Sequence, residues 1–219
     1  MDFEAINSYL PLYVQAFFLT VKIGWIGIVL SLVIGIAGAF ILHFRLPVLS
    51  AVTNVYVELF RNTPLLVQLF FIYFGLPKVG LVMPAESCGI LGLGLLGGSY
   101  MTEAIRSGLS AVPLSQTESA LALGFTKSQI FSNIILPQAV AGGMPAVIAN
   151  VIFLLKETSV FSAISLMDLM FTAKDLIGLY YDTTECLLLL VFFYIIMLLP
   201  VSVLGSLLEK KVRYGIYGG

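Results

Sequence analysis

Charge is the scarcest property of this 219-residue sequence. Only 11% of its residues are charged, 59% are hydrophobic and the mean hydropathy is +1.04. A chain of that composition cannot form an ordinary water-soluble domain, so we expect it to lie in a lipid bilayer as an all-α membrane protein. Its 11 basic residues form no basic stripe, and we therefore expect no nucleic acid partner.

Histidine and cysteine are nearly absent, which removes most routes to intramembrane chemistry. His43 is the single histidine, and the sequence has neither HExxH nor GxSxG, so we expect no metal site and no serine–histidine pair. Cys88 and Cys186 are too distant in sequence to form a metal-ligand cluster. A disulfide between them and, more favoured, two free apolar thiols are the alternatives.

Nucleotide-binding and targeting motifs are also missing. The sequence lacks GxxxxGK[ST], so the chain cannot cradle ATP phosphates itself, and we expect it to bind no cofactor. Residues 1–11 carry acids where a secretory signal would carry bases, so no cleaved signal peptide is expected.

Apolar runs predict about five transmembrane helices in a single domain covering residues 1–219. The first, over residues 23–42, holds no charge for twenty residues, about what a hydrocarbon core requires. The others are predicted to start at Pro64 and to cover residues 89–109, 138–157 and 187–208. Residues 47–60 mix apolar and polar side chains and predict a short helix on the cytoplasmic surface.

Small residues recur every four positions in the first and third of these segments. They are Gly27, Ser31, Gly35 and Ala39 in the first segment, and Gly94 and Gly98 in the third. This spacing gives each helix one face on which another helix can approach closely. The first helix is therefore predicted to pack rather than to line a path.

The distribution of basic residues predicts the orientation. Residues 1–11 contain no Lys or Arg and residues 165–185 are mainly acidic, so both are expected outside and the C-terminus is expected in the cytoplasm. In this arrangement seven of the 11 basic residues are cytoplasmic: Arg45, Arg61, Arg106, Lys127, Lys210, Lys211 and Arg213.

Residues 118–137 form a stretch of helical character that contains scattered polar residues, within an otherwise apolar chain. Small side chains around Ala120 predict a smooth surface on which a partner can dock, with Glu118 at its rim. Gly124 can adopt the left-handed conformation that ends one helix, and Pro137 suits the first turn of the next. The prediction is a helix, a turn, a second helix and then a membrane span; the alternative is a helical hairpin with no partner.

This stretch resembles the cytoplasmic loop of importer-type ABC permeases. The family pattern is Glu-Ala-Ala, three residues, Gly, nine residues and Ile-x-Leu-Pro. The matching positions, with Ser119 as the one departure, are Glu118, Ser119, Ala120, Gly124, Ile134, Leu136 and Pro137. The resemblance implies a loop of about residues 112–137 that couples to an ATPase.

Three further motifs resemble the permeases for polar amino acids of the histidine, glutamine and arginine type. They are ELFRNTPLLVQ at residues 58–68, GGSYMTEAIRSGL at 97–109 and KETSVFSAI at 156–164. The resemblance covers residues 12–210. Ala141 departs from the family, which usually has Arg four residues after the proline of its Leu-Pro.

The resemblance implies a type I importer fold and the membrane-spanning subunit of an ABC importer for a polar amino acid. It further implies a separate ATP-binding-cassette ATPase that holds ATP and Mg, and an extracytoplasmic substrate-binding protein or domain. Five helices are too few for a whole alternating-access pathway, so a second, identical or homologous permease is expected across a two-fold axis. The expected location is the cytoplasmic membrane of a prokaryote.

Three other functions remain as alternatives to this one. They are a permease for another small zwitterion such as an osmolyte and, less favoured, an intramembrane enzyme or a passive channel.

An amino acid brings an ammonium and a carboxylate, so its pathway needs an anion and hydrogen-bonding groups. The predicted pathway residues are Asn62, Thr63, Gln68, Tyr100, Glu157, Thr158 and Ser159. Glu157 would hold the ammonium group; the alternatives are that it faces outer water or pairs with a base. Gln68 either lines the route or bridges to a neighbouring helix. Glu103 and Arg106 are predicted to form a structural ion pair.

Overall fold

The computed structural model describes residues 2–217, without the side chains of residues 213 and 215–217, and every regular element in this part of the chain is helical. The side chain of Arg213, one of the predicted cytoplasmic bases, therefore lies outside the described part. The helices are α1 (Phe3–His43), α2 (Pro47–Arg61), α3 (Leu65–Phe70), α4 (Ala85–Ser110), α5 (Leu114–Ala122), α6 (Lys127–Ile130), α7 (Leu136–Glu157), α8 (Leu169–Tyr180) and α9 (Thr183–Tyr217).

Within residues 2–217, four helical segments are long and apolar enough to cross a membrane. They are Phe3–His43, Ala85–Ser110, Lys127–Ile164 and Thr183–Val212. Pro47–Arg61 and Leu65–Val79 are apolar enough together but meet at a bend of 105°, as in a broken span or a re-entrant loop, which gives four or five candidate spans among the described residues. The prediction of an all-α membrane protein with about five transmembrane helices is confirmed.

All four segments are longer than predicted, and two of them begin more than ten residues before the predicted start. Helix α1 begins at Phe3, twenty residues before the predicted start, because the Asp2 side chain caps it by accepting bonds from the Glu4 and Ala5 amides. The fourth segment begins at Lys127, because α6 continues into α7 through a π turn at Phe131–Ile135. Pro137 explains that turn, since its ring would collide with the carbonyl group four residues earlier in a regular helix.

The predicted second span is wrong in one respect, because the chain from Pro64 is too short to cross a membrane alone. Leu65–Val79 rises about 22 Å, against a hydrocarbon core of about 30 Å. Helix α2 precedes this segment and turns into it at the bend of 105°. The Tyr56 hydroxyl of α2 donates to the Leu95 carbonyl, near the middle of α4, over 2.6 Å. Helix α2 therefore packs into the bundle, and its predicted place on the cytoplasmic surface is corrected.

The close packing predicted from the small residues is confirmed between α1 and α4. A Cβ atom on Gly35 would overlap the Met101 side chain and lie 3.0 Å from the Met101 carbonyl carbon. Gly94 and Gly98 of α4 are covered in the same way by Leu30 and Ile34 of α1. The two backbones can approach only because these positions carry no side chain.

Buried apolar side chains form two clusters along the bundle. The larger one contains Cys88 and joins α1, α3, α4 and α7. The other contains Tyr13 and Cys186 and joins the first turns of α1 to α8 and the start of α9. Both cysteines are buried and free, which confirms the more favoured of the two predictions for them.

Candidate functional site

The turn between α5 and α6 has the geometry that the sequence predicts. Gly124 has φ +85°, and the Phe125 amide donates to the Ala120 carbonyl while the Gly124 amide donates to that of Leu121. These two bonds make a Schellman motif, the usual glycine-dependent end of a helix. A capping box between Thr126 and Gln129 then starts α6.

The surface of this loop is partly apolar and open. Leu114 is 79% exposed and Leu123 is 78% exposed, while Glu118 and Ser119 lie exposed beside them. Ala120 alone of the predicted coupling residues in α5 is buried, at 3% exposure. These leucines give the loop apolar surface that a partner protein can cover.

The second half of the predicted coupling set joins this loop to the bundle. Ile134 and Pro137 are half-buried and Leu136 is exposed, at the junction of the π turn and α7. Ala141, where the family usually has Arg, is buried.

Two contacts that the sequence does not predict fix the loop to the rest of the protein. The Gln138 amide of α7 donates to the Gln116 amide oxygen of α5. The Phe131 ring lies against those of Phe40 and His43 at the end of α1, with centroids 5.6 and 6.0 Å apart. The lone histidine is thus a packing residue that links α1 to the loop.

The Gln68 side chain connects the two sides of the break between α2 and α3. Its amide nitrogen donates to the carbonyl groups of Phe60 and Thr63, at 3.0 Å each, and to the Thr63 hydroxyl at 2.9 Å. Its amide oxygen is buried and has no partner among the described atoms. Gln68 therefore bridges two helices through its nitrogen and leaves one acceptor at the break.

Asn62 and Thr63 lie at the same break and bind within α2. The Asn62 amide donates to the Glu58 carbonyl and carboxylate, and the Thr63 hydroxyl donates to the Leu59 carbonyl. Gln68, Asn62 and Thr63 are therefore brought together by the structure as one polar group.

The predicted ion pair on α4 is confirmed and extended by a third residue. Arg106 donates to both Glu103 carboxylate oxygens, at 2.9 and 2.7 Å, and Arg61 of α2 lies 3.8 Å from the same carboxylate. The Arg61 guanidinium also lies over the Tyr100 ring, 5.3 Å from its centroid. Tyr100 is thereby placed beside the α2–α3 break.

Glu157 lies one helical turn beyond Phe153, whose ring packs against that of Tyr100 with centroids 5.3 Å apart. It is half-buried and pairs with no described base. Its neighbour Lys156 instead lines a groove between α7 and α9, as does Ser159. This difference agrees with the predicted rotation of about 100° between adjacent residues on a helix.

Thr158 is turned into the bundle. It is fully buried, its hydroxyl donates to the Leu155 carbonyl, and its methyl group lies close to Gly24 of α1. In this conformation the Thr158 hydroxyl group is therefore engaged in a hydrogen bond within the chain.

Asp168 is a buried acid that the sequence reasoning did not single out. One carboxylate oxygen accepts from the Phe171 amide and caps α8, while the other is buried with no partner among the described atoms. Burial raises the pKa of this carboxyl group to about 7. Its position before a helix is a signal that could have identified it as a cap.

Comparison with known proteins agrees with the resemblance seen in the motifs. The profile of a family described as "Binding-protein-dependent transport system inner membrane component" matches residues 35–214. The "Probable amino-acid ABC transporter permease protein PatM" of Vibrio harveyi is 35% identical over 176 residues, 79% of each chain. The "Probable amino-acid permease protein YxeN" of Bacillus subtilis (strain 168) is 32% identical over 215 residues, 97% of this chain and 96% of that protein.

A solved structure has the same fold along nearly the whole chain. It is described as the "Crystal structure of an amino acid ABC transporter with histidines" and matches with a TM-score of 0.89 at 32% identity. The match covers 96% of this chain and 99% of the other. The loop and the α2–α3 break therefore both lie within a shared architecture.

Proposed function

Because this chain belongs to the family of binding-protein-dependent transport system inner membrane components, we propose that it is the multi-pass subunit through which an ABC importer carries a polar amino acid. The observation that carries the proposal is the α5–α6 loop. Its glycine-ended helix presents exposed leucines outside a bundle that is otherwise suited to lipid. The amino acid substrate is supported by the names of the relatives.

The ATPase of this importer is a separate subunit that binds the α5–α6 loop. ATP and Mg belong to that subunit, and this chain holds no cofactor of its own. The contacts of Gln116 with Gln138 and of Phe131 with His43 tie the loop to α7 and α1. A movement of the docked ATPase would therefore be passed to two spans as a rigid displacement.

Two more partners complete the transporter. A second permease, identical or homologous, faces this one across a two-fold axis, since five spans do not enclose a pathway alone. An extracytoplasmic binding protein or domain delivers the substrate to the opposite end of the bundle from the loop.

The substrate passes between the α2–α3 break and the outer end of α7. Two groups lie at the inner part of this route. One is the amide oxygen of Gln68, which has no partner among the described atoms, and the other is the Tyr100 ring, over which the Arg61 guanidinium lies. Glu157, which has no described basic partner, receives the ammonium group at the outer part. Further polar contacts to the substrate come from four side chains, in a conformation that exposes them to the route: Asn62, Thr63, Thr158 and Ser159.

The test is substrate-stimulated ATP hydrolysis by the full transporter in lipid vesicles. We expect a polar amino acid to stimulate hydrolysis and to accumulate inside only with ATP. Accumulation without ATP would instead indicate a passive channel, and stimulation by an osmolyte but by no amino acid would change the substrate class.

In the same assay Glu157→Gln is expected to lower the substrate-stimulated rate by about 10- to 100-fold and to leave the basal rate unchanged. A charge-assisted bond to the ammonium group is lost, at a cost of about 1.5–3 kcal/mol. Glu86→Gln is the matched control, since Glu86 is a half-exposed acid paired with Lys22. Unchanged stimulation and selectivity in Glu157→Gln would show that the acid is structural.

The proposed orientation places the N-terminus outside and the C-terminus and the α5–α6 loop in the cytoplasm of a prokaryote. It follows from the basic residues near His43, the inner end of α4 and the end of α9. A reporter enzyme fused after residue 219 is expected to be active only inside the cell. Activity only outside would contradict the orientation.

A further inference from the structure

A cavity of about 550 Å³ lies where the ends of α1 and α4 meet the start of α5. Its lining combines basic, hydroxyl and apolar side chains, and no carboxylate is among the lining residues: Leu42, His43, Arg45, Arg106, Leu109, Ser110, Val112, Leu114, Thr117 and Ile135. None of the residues predicted for coupling or for the substrate pathway is in this set. The cavity is therefore distinct from the proposed substrate pathway, and it adjoins the coupling loop, with which it shares Leu114.

Arg45 contributes a positive charge to this cavity that no described ion pair neutralises. No described carboxylate pairs with its guanidinium, and its side chain is exposed. Arg106 is the second cation, but two of its nitrogens already bind Glu103. Arg45 and Arg106 also line a neighbouring cavity, which contains the carboxylates of Glu58 and Glu103. Arg106 keeps further N–H donors, because a guanidinium group carries five.

The backbone at Arg45 is unusual for its residue type. Arg45 has φ +50°, and its amide donates to the Leu42 carbonyl while the Leu46 amide donates to that of Ile41. This is a second Schellman motif, at the end of α1, with arginine at the position that glycine normally occupies. A left-handed conformation is unfavourable for a residue with a Cβ atom, and Arg45 shares it with Ser165 and Tyr181.

We propose that this cavity binds the phosphate group of an anionic phospholipid between Arg45 and Arg106. Arginine is well suited to phosphate, because its planar group donates two parallel hydrogen bonds. The leucines of the lining favour a lipid over free phosphate, since they provide an apolar surface for the glycerol and the upper acyl chain. Basic pockets between membrane helices at the cytoplasmic side bind lipid head groups in this way.

The lipid joins the ends of α1 and α4 to the coupling loop. Leu114 and Thr117 of the lining belong to α5, the helix proposed to bind the ATPase. Assignment to the inner leaflet rests on the proposed orientation, but binding of the phosphate does not. The lipid therefore fastens the loop to the bundle, and its loss should loosen α5.

The test is native mass spectrometry of the purified full-length chain after exchange into detergent containing defined lipids. We expect the chain to retain phosphatidylglycerol in preference to phosphatidylcholine. R45Q is expected to lower the retained phosphatidylglycerol roughly tenfold, and R45K to keep part of it. Equal retention by the chain and by R45Q would overturn the proposal.

The R45G variant distinguishes a loss of lipid binding from a loss of folding. Glycine relieves the left-handed backbone, so R45G should melt no lower than the unaltered chain in lipid-free detergent, while losing phosphatidylglycerol like R45Q. K127Q is the matched control, since it removes an exposed base from the same loop region and should change nothing.

Inorganic phosphate is added in a parallel series to distinguish the two sources of the anion. Displacement of phosphatidylglycerol by millimolar inorganic phosphate would show a free-anion site and overturn the lipid assignment. No ATPase or amino acid is present, so these results do not depend on whether the importer function is right.

Discussion

Gly124→Val is expected to abolish ATP-driven uptake while leaving the protein folded and inserted in the membrane. Gly124 has φ +85°, and apart from its two chain neighbours no described residue has an atom within 4 Å of the place that a Cβ atom would occupy. The change therefore acts on the backbone alone, where a β-branched residue costs about 1–2 kcal/mol or more in this conformation. The Schellman turn would open, and the exposed leucines Leu114 and Leu123 would no longer be held in the arrangement that binds the ATPase.

The chain contains its own control for this experiment. Gly80 also has a positive φ, +87°, with open space around it, but it lies between α3 and α4, away from the loop. Gly80→Val should therefore impose the same backbone conflict and keep uptake, and Gly124→Asn should keep most of it because asparagine tolerates this conformation. Normal uptake in Gly124→Val would remove the turn from the coupling mechanism.

Charge at the loop rim gives an independent change in the same assay. Glu118 is exposed and forms no described ion pair, so Glu118→Lys should leave folding intact. It reverses the charge that the docked ATPase meets, and uptake should fall while insertion is kept. Normal uptake in this variant as well would contradict docking at the loop.

Gly35→Leu is expected to destabilise the whole bundle. An added Cβ atom would overlap the Met101 side chain and lie 3.1 Å from the Thr102 amide nitrogen, so the backbone of α4 itself obstructs it. A change of rotamer cannot relieve such a contact. Overpacking of this kind costs about 3 kcal/mol, which corresponds to a lowering of Tm by roughly 6–12 °C for a chain of this size.

Thermal unfolding in detergent measures this effect, with Ala37→Leu as the control. Ala37 lies on the exposed face of α1, two residues from Gly35, so the same bulk would meet lipid or detergent there. Ala37→Leu should leave Tm within about 2 °C of the unaltered value. Equal melting of Gly35→Leu and Ala37→Leu would show that α1 and α4 are not closely packed in the membrane.

The α5–α6 loop could be predicted well because its shape is set by residues close together in the sequence. Gly124 ends α5 through its own backbone preference, and Pro137 lies in the first turn of α7, where the missing N–H costs little. The Glu103–Arg106 pair was predictable for the same reason, since three residues on a helix fix its geometry. The role of the loop in coupling stays a prediction until the uptake of the variants is measured.

The path of α2 could not be predicted in this way. Its amphipathic sequence suits both a membrane surface and a groove in a bundle. The bond from Tyr56 to Leu95 decides between them, and it joins residues that lie 39 positions apart. The anchoring of Phe131 on His43 and the cavity beside Arg45 also depend on helices that meet only after folding.

The sequence by itself determined that this protein crosses a membrane about five times, that α1 has a face for close packing, and that a glycine-ended loop interrupts the spans. Composition and local periodicity act within one helix, and they need no knowledge of its neighbours. Only the tertiary structure decided that Gln68 joins α2 to α3 and that Glu157 has no described basic partner. A polar side chain in an apolar medium takes its role from whichever partner the fold brings within reach.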